Sequence, residues 1–329
     1  MKNMVLNTLH AIGLTSILRM KKANRLTVLS LHRISDERNF FWDPIMPNSF
    51  DLLLRYVKQH YHVITFSDLF DKGNLKSNKP LLILSFDDGY YDFYENALPL
   101  LTKHGLVANH NVVNACCENG HVIWTERLNG VFQFAMQQKV ILEVELPSQK
   151  INLSQFDGNW MQFYLATFRA LLEEKSEARL QVIACLESTL GYRHQVRMMN
   201  WEEVKECSRN GVEIGSHTMN HDVISTLNDK SALKHELSDS KLDLEKKLNL
   251  PIQVLALPNG QIGDSAYDVI RESDYKFVLH VDDRSMPISD IDTKSGYSEI
   301  SRINMVDEPF PQMCLRAEQF HSIIRGNAR

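Results

Sequence analysis

The sequence predicts an α/β protein built on a parallel barrel or a doubly wound sheet. Three observations carry that expectation. Short apolar runs recur along the chain, helical patterns separate them, and several runs end in polar or acidic residues, as strands do where a parallel sheet opens onto a ligand. With 329 residues, 43% of them hydrophobic, the chain is long enough for two domains or for one α/β barrel with additions.

The chain opens with "MKNMVLNTLHAIGLTSILRMKKANR", where Val5, Leu6, Leu9, Ile12 and Ile17 recur at helical spacing and Arg19, Lys21, Lys22 and Arg25 follow. Asn7, Thr8, His10, Thr15 and Ser16 interrupt the apolar run, which is too short to span a bilayer and lacks a clear cleavage site. Neither a secretion signal nor a transmembrane helix is expected, and the location expected is cytoplasmic. Residues 1–25 are read as a helical extension resting on the body of the protein, with peripheral contact to an anionic membrane face as the alternative.

"RLTVLSLHRIS" predicts a strand ending at His32, "FDLLLRYVKQHY" a helix, and "HVITFSDLF" a short strand and helix start. "LLILSF" is a strand that runs into Asp87, Asp88 and Gly89. "YDFYENALPLLTKHG" continues as a helix with Phe93, Ala97, Leu100 and Leu101 on one side and Gly105 at its close. "GLVANHNVV", "GVEIGS", "IQVLALP" and "YKFVLHV" are further short strands. Strong helices accompany the last three: "WEEVKECSRNG", capped by Asn200 with Glu203 three residues on, leads into "GVEIGS", and "DKSALKHELSDSKLDLEKKLNL", stopped by Pro251, follows it. Residues 126–198 break the rhythm. "ERLNGVFQFAMQQ", "WMQFYLATFRALLEEK" and "EARLQVIACLESTLG" are amphipathic helices, separated by strand-like "VILEVELP" and a polar loop, and predict an insertion that caps one end of the barrel. The main domain is expected to run over 26–329.

A net charge of −5 argues against a nucleic-acid partner, which would need a strongly basic face. The five cysteines, Cys116, Cys117, Cys185, Cys207 and Cys314, lack a C-x-x-C pair and read as reduced thiols.

Consecutive strand residues point to opposite faces, so Asp87 and Asp88 can serve different partners, one a metal and the other a proton. Capping the following helix is the plain alternative. His217 and His221 stand four apart after "GVEIGS", a spacing at which both imidazoles can meet one ion. Thr218, Met219 and Asn220 between them supply no glutamate base, so a carboxylate must come from elsewhere. Two imidazoles and one carboxylate suit Zn²⁺, or Co²⁺, Ni²⁺ or Fe²⁺, with positions left for water and substrate.

"SFDDG", "SHTMNH" and "LALPNG", in that order, resemble the polysaccharide deacetylase family, which includes the chitooligosaccharide deacetylase of nodulation; the resemblance covers most of residues 26–304. It implies a distorted (β/α)7 TIM-like barrel with a helical insertion between the first two motifs. The activity implied is metal-dependent removal of an N-acetyl group from an N-acetylated sugar in a glycan or lipid-linked precursor. Asp87 is then the catalytic base, and Asp88, His217 and His221 hold one divalent metal ion, zinc foremost. "TVLSLHRIS" with "MPNSFDLLLRYVKQHYHVITFSDL" is similar to the branch that deacetylates bacterial poly-N-acetylglucosamine, which implies His32 as general acid; His280, in "FVLHVDD", is the competing candidate.

Departures from the family pattern accompany these matches. The third motif places Pro258, Asn259 and Gly260 at the site, but Ala256 stands where many members carry a base-orienting arginine, and Asn259 where an aromatic is usual. Arg302, in "EISRINM", resembles a late Arg-Ile segment of the branch, which implies a role in ordering the site, with a surface ion pair as the plainer reading. His110, in "VANHNVV", either reaches the site or alters packing. Trp124 and Trp201 are read as packing residues before sugar platforms. Fold and motif do not choose the acyl group or the sugar: O-acetyl esters, other amides, or glycan binding without catalysis are the alternatives.

Overall fold

Seven parallel strands close into a ring in the computed structural model, which describes residues 2–69, 77–292 and 296–324. They are β1 (Arg25–Leu31), β2 (Leu81–Phe86), β3 (Ala108–Val112), β4 (Val212–Ser216), β5 (Val254–Ala256), β6 (Phe277–Val281) and β7 (Ser298–Asn304). Each pairs with its neighbour in sequence, and β1 closes the ring by pairing in parallel with both β2 and β7. Helices surround it, as in a (β/α)7 TIM-like barrel. Met1, Phe70 and residues 325–329 of the predicted elements and domain lie outside the described residues.

The two-residue period of a strand explains how one ring serves as both core and site. The series Leu26, Val28, Ser30 on β1, Leu81, Ile83, Ser85 on β2 and Ile300, Arg302 on β7 begins apolar and turns polar toward the strand C-termini. Its apolar part joins Val254, Ala256, Phe277, Leu279 and Phe66 in a cluster that fills the barrel. The alternate residues Leu29, Leu31, Leu82, Leu84, Phe86 and Val112 belong to the larger cluster formed with Phe50, Leu53, Phe93 and Leu101 of the helices.

Three elements differ from the sequence expectation. "HVITF" contributes only His62–Val63, paired with the start of β2, because the chain then turns and sends Phe66 into the barrel cluster. Ser298–Asn304 is the seventh barrel strand, which the sequence reading did not anticipate, and in the insertion Glu143–Glu145, within the strand-like run, pairs antiparallel with Lys150–Asn152, where a polar loop was read. The insertion helices Trp124–Gln138, Trp160–Glu173 and Ser176–Leu190 share their own core, built from Phe132, Phe163, Tyr164, Leu171 and Ile183, and seated against Phe41 and Val223.

The N-terminal helices Lys2–Ala11 and Leu14–Met20 lie against the body of the protein, where Thr15 and Leu18 are buried. Glu318 anchors them: its carboxylate accepts from the Tyr56 and Tyr61 hydroxyls at 2.6 and 2.7 Å and stands 3.4 Å from Arg19 and 3.5 Å from Lys22. Met4, Val5, Ile12, Ile17 and Met20 remain on the outer face. Among the described residues no helix is long and apolar enough to cross a membrane. All five cysteines are free thiols, and four are buried.

Candidate metal centre and its cavity

Strand β2 stays in register with β1 to its last residue, Phe86 opposite Leu31, and the Asp87 N–H donates to the Leu31 carbonyl at 3.0 Å. The backbone then reverses through Asp88 at φ 78° and Gly89 at φ 91°. That turn carries the Asp88 carboxylate toward the end of β4, where its Oδ1 lies 3.2 Å from His217 Nε2 and 3.4 Å from His221 Nε2. His217 continues the ladder by donating its N–H to the Val112 carbonyl, and its Nδ1 bonds the Ala256 carbonyl at 2.8 Å, which leaves Nε2 aimed at Asp88. The four-residue spacing to His221 is bridged by a turn rather than a helix, with Thr218 at φ 69° and His221 at φ 63°. Left-handed backbone at non-glycine residues costs about 1–3 kcal/mol each and persists where the surroundings over-determine it.

The ligating atoms of Asp88, His217 and His221 all lie within 4.8 Å of one another, and the three residues are buried. Two imidazole nitrogens and a carboxylate oxygen, one imidazole fixed by a backbone carbonyl, fit a borderline divalent ion such as zinc. The two imidazoles outweigh the burial that would raise the Asp88 carboxyl, and hold it well below the usual carboxylate range. Among the described residues neither Asp87 nor Asp88 accepts from a helix N–H; their side-chain partners are Arg302, Asn111 and the two histidines. The capping alternative therefore fails.

Asp87 points to a different set of groups. Arg302 Nη1 and Asn111 Nδ2 each donate to its Oδ1 at 2.8 Å, and His32 Nε2 is 4.0 Å from Oδ2. Burial pushes the Asp87 carboxyl up, but Arg302 and then His217 outweigh it and bring it down to about 2. Arg302 is fully buried, which corrects the surface ion pair read for it. It faces inward because it follows Ile300 by two residues on β7, and it also donates to the His280 carbonyl and the Ser85 hydroxyl. A guanidinium thus meets Asp87 from β7, although Ala256 stands at the start of the third motif.

A cavity of about 510 Å³ opens over these groups. His32, Asp87, Asp88, His217, His221, Arg302, Asn259 and Asn304 line it from the barrel; Phe41, Trp42, Thr125, Tyr164, Leu165 and Phe168 line it from the adjoining loop and insertion. His32 meets Trp42 edge-on at 4.8 Å, and burial lowers its pKa against the pull of the two carboxylates. Of the third motif, Leu257 and Asn259, the latter at φ 55°, line this cavity; Pro258 is buried, and Gly260 borders another cavity with His280. His280 is outside the Asp88 cavity and stands 3.8 Å from Glu299.

His110 does not reach the site either. It occupies an outward position of β3, buried with its ring 4.2 Å from that of Phe93, and burial brings it down to about 4, so it is neutral. Its neighbours Asn109 and Asn111 face inward. Asn111 stands, with Asn109 and His110, in a stretch whose sequence departs from the family pattern but was given no role there, although polar residues two apart in a buried strand signal a polar interior. Gly215 makes room for it: a Cβ there would lie 2.1 Å from Asn111 Oδ1. The insertion residues Tyr164, Leu165 and Phe168 were missed as well. Trp124 packs on Phe168 at 5.3 Å and Trp201 donates to Glu118; neither lines the cavity.

Fold and site define an α/β barrel with a candidate metal centre at the C-terminal mouth of its strands and a second, arginine-held carboxylate beside it. Residues 147–278 match the family model for polysaccharide deacetylases. The matched segment contains His217 and His221; Asp87 and Asp88 precede it and join them through the fold. The peptidoglycan-N-acetylglucosamine deacetylase of Bacillus cereus is 36% identical over 76 residues, 23% of this chain and 35% of that protein. A putative polysaccharide deacetylase of Bacillus subtilis is 21% identical over 182 residues, 54% of this chain and 62% of that one. The chain thus spans less than two thirds of the length of these curated relatives. Among solved structures, the Streptococcus pyogenes deacetylase PplD in complex with acetate has a TM-score of 0.58 at 17% identity, covering 89% of this chain and 98% of that one. IcaB from Ammonifex degensii has a TM-score of 0.52 at 16% identity, covering 90% and 98%. At these identities the likeness is one of fold.

Proposed function

We propose that the protein is a metal-dependent hydrolase that removes the N-acetyl group from an N-acetylated sugar. The observation that carries this reading is the division of labour between adjacent carboxylates: Asp88 faces two imidazoles, and Asp87 faces Arg302, Asn111 and His32. Asp88, His217 and His221 would hold a divalent ion, which supplies Lewis acidity toward the acyl oxygen and acidifies water to a pKa of about 7. Asp87, ionised at neutral pH, takes the proton of the attacking water. Arg302 and Asn111 keep that carboxylate charged and oriented. His32, in the same cavity, protonates the departing amine, and acetate and a free sugar amine result.

Acetate release by zinc-loaded protein from N- and O-acetylated glycans and sugar precursors tests the reading. Asp87→Asn should keep about one equivalent of metal and lose roughly 10²–10⁴-fold in kcat. Asp88→Ala and His217→Ala should lose the metal itself, measured by elemental analysis after dialysis. Release from O-acetyl esters alone would make it an esterase, and a folded protein that binds neither zinc, cobalt, nickel nor iron would favour a glycan-binding module.

We infer further a cytoplasmic protein that touches the inner membrane face through residues 1–25. Exposed Met4, Val5, Ile12, Ile17 and Met20 beside exposed Lys21 support this. Deleting the first 22 residues should abolish co-flotation with anionic vesicles; unchanged flotation rules the contact out.

A further inference from the structure

The cavity has two chemically unlike walls. On the barrel side Asn259 and Asn304 add amides to the ionisable cluster, beside the apolar Leu257 and Val281. The insertion side offers almost no hydrogen-bonding capacity: Leu165 and Phe168 are apolar, and the Tyr164 hydroxyl already donates to Asn129. Thr125 alone adds a polar group there, a buried hydroxyl without a partner. A second sugar ring against this wall would give up its hydrogen bonds to water and find few replacements. A hydrocarbon or aromatic group would instead bury apolar surface on both sides.

We propose that the insertion helix Trp160–Glu173 is the specificity element of the site, and that it selects an acetylated sugar carrying an apolar substituent over a longer sugar chain. The proposal rests on the hydrolase reading for the reaction, but its recognition step stands on the wall alone. The cavity volume, about 510 Å³, falls in the range of small-molecule sites. Leu165 is the residue to change, because it is 39% exposed and its replacement leaves the insertion core of Phe132, Phe163 and Ile183 intact.

Calorimetric binding to zinc-loaded Asp87→Asn protein separates recognition from turnover. Three probes are compared: N-acetylglucosamine, its octyl β-glycoside below the micelle threshold, and tri-N-acetylchitotriose. The octyl glycoside should bind at least tenfold more tightly than either of the others, and Leu165→Asn on the same background should remove that advantage while binding of the free sugar and the thermal midpoint stay unchanged. Equal or tighter binding of the trisaccharide overturns the proposal, as does an octyl advantage that survives Leu165→Asn and a second variant, Phe168→Gln. Acetate release by the wild type from the same probes is the separate arm. Its absence with all three probes counts against the hydrolase reading and leaves the measured order of affinities, and with it the recognition step, unchanged.

Discussion

Asp87 receives two donors at 2.8 Å in a buried setting, so its partners are stability groups as well as positioning groups. Removing the cation alone, in Arg302→Met, leaves a buried carboxylate without its charge partner and should destabilise the protein by about 3–5 kcal/mol. The double variant Asp87→Asn with Arg302→Met should regain much of that loss, and urea unfolding of the cycle measures the coupling. Gly215→Ala should displace Asn111 through a steric clash and lower kcat before KM, since the Asp88, His217 and His221 cluster is untouched. Asp87, Asp88, His217 and His32 could be placed at the cavity from the sequence because each stands at the end of the apolar run of its own strand, and His221 from its four-residue spacing to His217. For Arg302 only the resemblance of its segment pointed to the site, and Asn111 was given no role. Their inward direction depends on the pleat and closure of the whole ring, and Arg302 lies in a run, "SEISRIN", whose polar residues mask the strand.

The insertion is tied to the barrel by a buried ionic group. Arg33, just beyond β1, contacts Asp92 at 2.7 Å and Glu126 at 3.3 Å, and the Tyr90 hydroxyl donates to Glu126 at 3.2 Å. Burial pushes the Glu126 carboxyl up to about 7 against the pull of Arg33. An acid whose folded pKa is raised stabilises the fold fully below its unfolded value of about 4.5 and loses that contribution as pH rises through about 7. Wild type should therefore lose more stability than Glu126→Gln between about pH 5 and pH 8, as read from thermal midpoints across that range. The insertion helices were legible from their period, as were six of the barrel strands. "HVITF" misled because its β-branched and aromatic residues suit a strand, whereas Glu213 draws the chain away by accepting from the Phe66 and Ser67 N–H groups. No local pattern contains that contact.

Across the whole molecule, the two ends of the chain meet on one side of the barrel. Glu318 gathers Arg19, Lys22, Tyr56 and Tyr61, so Glu318→Ala should loosen the first 25 residues and speed their proteolytic removal while the barrel resists. β7 closes the ring between β6 and β1 and is the last strand of the ring to be synthesised. A nascent chain that has emerged only through β6 already holds Asp88, His217, His221 and His32, but its Asp87 still lacks a counter-charge. Docking of β7 delivers Arg302 to that carboxylate, so the last strand of the ring to leave the ribosome is the one that brings Asp87 its guanidinium partner.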